Sequence, residues 1–163
     1  MVVTNSLIAP VTVIFRINDD LLLRALDGLG AEQLWHRPTE KNNPMLWIAG
    51  HIAQTRALIL SLTGHPFDTG WGDLFARGSS VGDAEKYPSI TEIKSVLGKI
   101  NTMLYVTFDA PDNGRLAQPF PGIKLPNAKT GVDQLAGFAM HDSYHVGQLG
   151  YLRKALGYPA IAG

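Results

Sequence analysis

The segment MHDSYHVGQLG places His141 and His145 four residues apart. On a helix that spacing sets both imidazoles on one face, about 6 Å apart along the axis, within reach of a single ion. A third histidine, His51, lies in another apolar segment, MLWIAGHIAQTRALIL. Three imidazoles from two facing helices can make a metal site that leaves one or more positions open to water or substrate. A closed structural site more often takes four protein ligands. The chain has no cysteine, so any metal must be held by His, Asp or Glu. Disulfide frameworks, cysteine zinc sites and cysteine nucleophiles are excluded. The same residues have a plainer reading as core histidines bonded to backbone carbonyls or polar neighbours. The chain has five histidines, and random placement would give roughly 0.1 pairs at this spacing. Against the plainer reading, both members of the pair stand where an inward stripe would otherwise be apolar, and an unpartnered imidazole is costly there.

The neighbours add candidate roles. Asp142 points about 100° away from His141 on a helix, which suits a cap or a supporting contact rather than direct ligation. Tyr144 and Gln148 lie nearer the stripe edge, where either can hydrogen-bond a ligating imidazole or serve as a packing residue. His36 and His65 fall in connections and read as surface residues. Gly50, Gly147 and Gly150 sit inside helical patterns at about 1 kcal/mol each relative to alanine, and close helix approach is the reading they favour over room for a ligand. In FDTGWGDLFARG, Trp71 and Phe75 are candidate walls over the site and Arg77 a candidate anion anchor. Loop aromatics packed on the helices account for the same residues. No general base is identifiable, and the catalytic residues stay unassigned.

Four helical patterns must position these groups. The first runs from about Ser6 to Asp27, with Ser6 as cap and the stripe Leu7, Val11, Ile14, Asn18, Leu21 and Ala25. Pro10 fits only the first turn, so the regular start lies closer to it. The second runs from about Pro44 to Thr63, with Asn43 as N-cap and Ile48, His51, Thr55, Leu58 and Leu62 on its stripe. The third runs from about Ser89 to Phe108, opened by a Ser89–Glu92 capping box and buried through Ile90, Ile93, Leu97, Ile100, Leu104 and Phe108. The fourth runs from about Thr130 to Leu156 with the Thr130–Asp133 pattern, and carries Leu135, Phe138, His141, His145, Leu149, Leu152 and Leu156 inward. Four such helices predict an all-α four-helix bundle in one domain over residues 1–163. The connections Gly64–Pro88 and Asp109–Lys129 are long enough to be functional or to cross over between parallel helices.

Apolar residues make up 45% of the chain and charged residues 17%, the profile of a globular protein. Fourteen basic and fourteen acidic residues cancel. That leaves no electrostatic footprint for nucleic acid and no polybasic patch for a membrane. The opening MVVTNSLIAPVTVIF lacks a basic region and a small-residue cleavage site, so it does not read as a signal peptide. No apolar run reads as long enough to span a membrane. Cytoplasmic residence is the resulting expectation.

At NNPMLWIAGHIAQTRALIL and HDSYHVGQLGYLRKALG the chain resembles the DinB-like superfamily, which includes the YfiT-type metal-dependent hydrolases. The shared pattern is Trp47 four residues before His51, then the His141–His145 pair, a Gly-Gln pair and an LRxxLG ending. LGAEQLWHRP resembles the family's connection into the second helix, so the likeness spans nearly the whole chain. The resemblance implies an up-down-down-up bundle and a divalent metal, zinc or nickel first, on His51, His141 and His145. It also implies homodimers formed through helix faces. Characterised relatives include transferases and isomerases that use mycothiol, bacillithiol or glutathione. A small-molecule thiol and an electrophile are therefore the implied substrates, with hydrolysis and non-catalytic binding as alternatives.

Overall fold

Pro10 lies in the first turn of α1, Ala9–Leu26, where its missing N–H costs nothing. The computed structural model describes residues 7–162, so the cap expected of Ser6 falls outside the described residues. Further along come α2 (Ala31–Trp35), α3 (Met45–Leu62), a 3-10 turn (Ala84–Lys86), α4 (Ile90–Asp109), α5 (Asn113–Leu116) and α6 (Gly131–Ala155). The all-helical expectation holds, with no strand among the described residues. The count does not, because the described residues hold six α-helices rather than four. The two extra ones have five and four residues, too short to show a period.

Local chemistry sets the boundaries. Thr130 Oγ1 accepts from the Asp133 N–H at 3.1 Å, and Asp133 Oδ2 accepts from the Thr130 N–H at 2.9 Å, a reciprocal capping box. The Lys129 N–H and the Thr130 bonds hold the Asp133 carboxyl below the usual range. Ser89 caps α4 through the Glu92 N–H at 3.2 Å. The cap of α3 is Pro44 in extended conformation, not Asn43. Gly64 and Gly157 follow α3 and α6 with φ of 95° and 85°, a left-handed turn that glycine takes without a Cβ clash.

Burial corrects two stripes. In α1 the fully enclosed residues are Phe15, Leu22 and Ala25, while Leu7 and Ile14 are exposed. Val13, Ile17 and Leu23 are exposed as well, while Val11, Asn18 and Ala25 of the expected stripe are buried, so the buried face is the expected one turned towards Phe15 and Leu22 and without Leu7 and Ile14. In α3 burial runs nearly all round, with only Leu58 exposed among its large apolar residues. Contrary to expectation, Met45–Leu62 is long and apolar enough to cross a membrane, but 72% of it is buried inside the fold. An all-round apolar helix of this kind is what a core demands.

Side-chain contacts tie the four long helices together. On one flank, Asn18 of α1 reaches Asp142 and Ser143 of α6, and Arg153 at the end of α6 reaches the carbonyls of Ala25 and Asp27. Across α1 and α4, Arg16 faces Asp109 and Asp19 faces Asn101. Between α3 and α4, Arg56 meets Asn101, and His65, just past α3, meets Thr107.

Candidate metal centre

His51 projects from the middle of α3 and His141 and His145 from the middle of α6. The ligand-capable nitrogens of all three lie within 4.8 Å of one another. His141 Nε2 is 3.3 Å from His51 Nε2 and 3.1 Å from His145 Nε2. Three nitrogens on one tetrahedral ion at 2.0–2.1 Å would be about 3.3 Å apart. His36 and His65 are exposed and outside the cluster.

Each Nε2 has a reason to carry a lone pair. His51 Nδ1 is 2.7 Å from the Phe75 carbonyl oxygen, and His145 Nδ1 is 2.7 Å from Gln148 Oε1. Both partners only accept, so both Nδ1 atoms must donate, and both Nε2 atoms are left unprotonated. Two such nitrogens facing a third repel one another unless a proton or a cation lies between them. His141 Nε2–H can satisfy only one of them, and a divalent ion satisfies all three. The donor set therefore fits a metal. His141 differs in that its buried Nδ1 has no hydrogen-bond partner.

The surroundings hold His51 in place. Trp47 stacks on its ring at 4.9 Å with 10° between planes, and Trp47 Nε1 donates to the Leu74 carbonyl at 3.2 Å. Gln54 Nε2 donates to the Gly72 carbonyl at 2.8 Å. Gly50 lets this loop lie against α3, since a Cβ there would be 2.3 Å from the Phe75 ring. Gly150 likewise admits Ile161 of the C-terminal segment, and Gly147 has nothing within 4 Å. None of the three serves the close helix approach that the sequence suggested. Trp71 and Phe75 are core residues rather than walls over the site. Phe75 instead contributes its backbone carbonyl, which no side-chain motif could have revealed.

Sequence reasoning also missed Arg56, the one charged residue in α3 and fully enclosed. Its Nε and Nη2 donate to the two Asp142 oxygens at 2.9 and 2.8 Å. Its Nη1 reaches Asp19 and, at 2.7 Å, Asn101 Oδ1. Asn18 donates to Asp142 at 2.9 Å, and Tyr105 donates to Asp19. Burial lowers the Arg56 pKa, but Asp142 and Asp19 outweigh it and raise it above the ordinary value. Burial, reinforced by Asp19, pushes the Tyr105 phenol up. Asp142 thus points away from the histidines, as its position implied, and locks α6 to α3 directly behind them.

Burial holds His141 down to about 4, with His145 and His51 adding to the effect. Burial also lowers His51 and His145, opposed by their bonds to Phe75 and Gln148. All three folded values lie below the ordinary 6.5, so the unfolded chain takes up protons first as pH falls. The stability carried by the neutral imidazoles is present above pH 6.5 and is lost as pH falls towards the His141 value of about 4. Urea titrations of metal-free protein should show a midpoint that declines across that window, and more shallowly in His141→Gln.

A cleft of about 500 Å³ opens beside the cluster, lined by His51 and His141 among others. Trp47 and Tyr144 are not in its lining, so neither plugs the open side of the site. A helical protein with three convergent histidines, two of them lining a cleft, is the class that fold and site define. A family model described as the DinB superfamily matches residues 14–149. The chain belongs to the DinB superfamily. No curated protein and no solved structure matches it.

Proposed function

We propose that the chain is a divalent-metal-dependent enzyme that transfers a low-molecular-weight thiol to an electrophilic small molecule. His51, His141 and His145 are the metal ligands in this reading. The observation that carries it is the convergence of three Nε2 atoms, two left unprotonated by their Nδ1 partners, beside an open cleft. When bound, a divalent ion, zinc or nickel first, would supply the charge that deprotonates a coordinated thiol outright or lowers the pKa of a water to about 7. Phe75 and Gln148 fix the tautomers of His51 and His145, and Trp47 fixes the plane of His51. The cleft lining includes no carboxylate to act as base on water, which favours the thiol over hydrolysis. The open cleft counts against a purely structural metal.

The contact pairs support reading the four long helices as one domain, an up-down-down-up bundle. Asn18–Asp142 and Asp27–Arg153 advance together along α1 and α6, whereas Arg16–Asp109 and Asp19–Asn101 run oppositely along α1 and α4. Exposed Val13 and Ile17 on α1 and Tyr144 and Tyr151 on α6 support a homodimer through helix faces.

The test is turnover by the zinc-loaded chain with glutathione against epoxides and activated alkenes. Thiol consumption that stops on chelation is the expected result. Ester or amide cleavage without thiol would replace the reading with a hydrolase, and neither activity in a metal-loaded chain would leave a binding module.

A further inference from the structure

The cleft beside the histidines is also basic, and Arg77 is near enough to help hold the His141 pKa down. Arg77 comes from the α3–α4 connection and Lys124 from the α5–α6 connection, and both line this one cleft. None of the lining residues is acidic. Among the described residues neither cation has an ion pair or hydrogen bond. A protein with equal numbers of basic and acidic residues thus sets two unneutralised cations around the same small space.

Both cations stand on anchored backbone. Arg77 lies two residues after Phe75, whose ring rests on Gly50 and whose carbonyl holds His51. Lys124 follows Ile123, whose carbonyl accepts from the buried Gln134 amide at 2.9 Å. Gln134 Oε1 also takes the Phe120 N–H. Leu125 then packs so closely on α6 that a Cβ at Gly137 would lie 2.1 Å from it. Apart from the histidines, Thr55 and Gln134, the rest of the wall is apolar or glycine, including Leu58 and Met140, which are 43% and 61% exposed, and Phe138.

We propose that this cleft takes a small organic anion, a carboxylate carried on an apolar body. Arg77 and Lys124 hold the carboxylate, and Leu58, Phe138 and Met140 cover the body. This names the substrate class of the proposed enzyme and rests on that reading for the claim that the bound molecule reacts, though not for the claim that it binds.

The probe is 4-phenylbutyrate, titrated calorimetrically into the full zinc-loaded chain beside its neutral amide, 4-phenylbutyramide. The carboxylate should bind at least about tenfold tighter than the amide, since a charge-assisted hydrogen bond contributes about 1.5–3 kcal/mol. Arg77→Gln and Lys124→Gln should each remove most of that preference and leave metal content unchanged. Equal binding of acid and amide, or a preference that survives both substitutions, would overturn the proposal. His145, which does not line the cleft, separates it from the metal reading. Carboxylate binding retained in a metal-free His145→Ala chain upholds the anion site whatever becomes of the enzyme. Binding lost there assigns the carboxylate to the ion, which overturns the anion site and leaves the metal centre standing.

Discussion

A His145→Ala chain, produced without a histidine tag, should carry no divalent metal where the parent carries about one per chain. Elemental analysis reads both. The substitution takes away one of three converging nitrogens and frees Gln148 from its bond at 2.7 Å. Loss of a supporting partner alone typically weakens metal binding about 10–100-fold. Loss of a ligand should exceed about a hundredfold in a zinc competition titration against a chromophoric chelator. Gln148→Leu offers the graded case, keeping all three ligands and falling within that 10–100-fold range. Urea unfolding of metal-free parent and variant should differ far less than with Arg56→Met, because His145 takes no part in the Arg56 network. A parent chain that neither carries nor takes up zinc or nickel would sink the metal centre, and the histidines would then be core residues.

Arg56→Met should be the most destabilising substitution behind the site. The guanidinium is fully enclosed, and its removal leaves Asp142, 2% exposed, without its bidentate partner. Breaking a buried pair from one side costs about 3–5 kcal/mol. For a chain of this size that lowers Tm by about 6–20 °C. Adding Asp142→Leu to Arg56→Met should recover part of the loss, because removing both partners strands no charge between α3 and α6. A single variant within about 1 kcal/mol of the parent would show that water or a rearranged Asn18 satisfies Asp142. Zinc affinity should fall with Arg56→Met as well, since Arg56 and Asp142 hold together the two helices that present the histidines.

Helix existence was legible because period and cap agreed. Thr130, Asp133 and Ser89 announced two starts, and α4 buried Ile93, Leu97, Ile100, Leu104 and Phe108 as its stripe required. The stripe of α1 was legible at Val11, Asn18 and Ala25 but not in full, because Ile14 and Ile17 look as apolar as Phe15 and Leu22. The histidine cluster was readable from spacing and from its place on otherwise apolar faces. What supports it was not. Phe75 acts through a backbone carbonyl, and the partners of Arg56 come from three other helices that only tertiary structure brings together. One signal was there to be used: a lone arginine in the most apolar helix of the chain needs a buried anion, and Asp142 stands beside a candidate ligand. Among the loop residues of FDTGWGDLFARG, Arg77 was the one read towards its observed place, at the cleft.

The nearly all-round burial of α3 carries a cost during synthesis. Its covering helices, α4 and α6, lie downstream in the chain, so a nascent polypeptide displays Met45–Leu62 before either has been made. At about 5–20 residues per second, the interval before α6 is complete lasts several seconds. Throughout it the ribosome presents a bare segment that just reaches the length and hydropathy of a membrane span, open to chaperones and to membrane-targeting factors alike. The helix that carries His51 is therefore also the part of the chain most exposed to being misdirected before it folds.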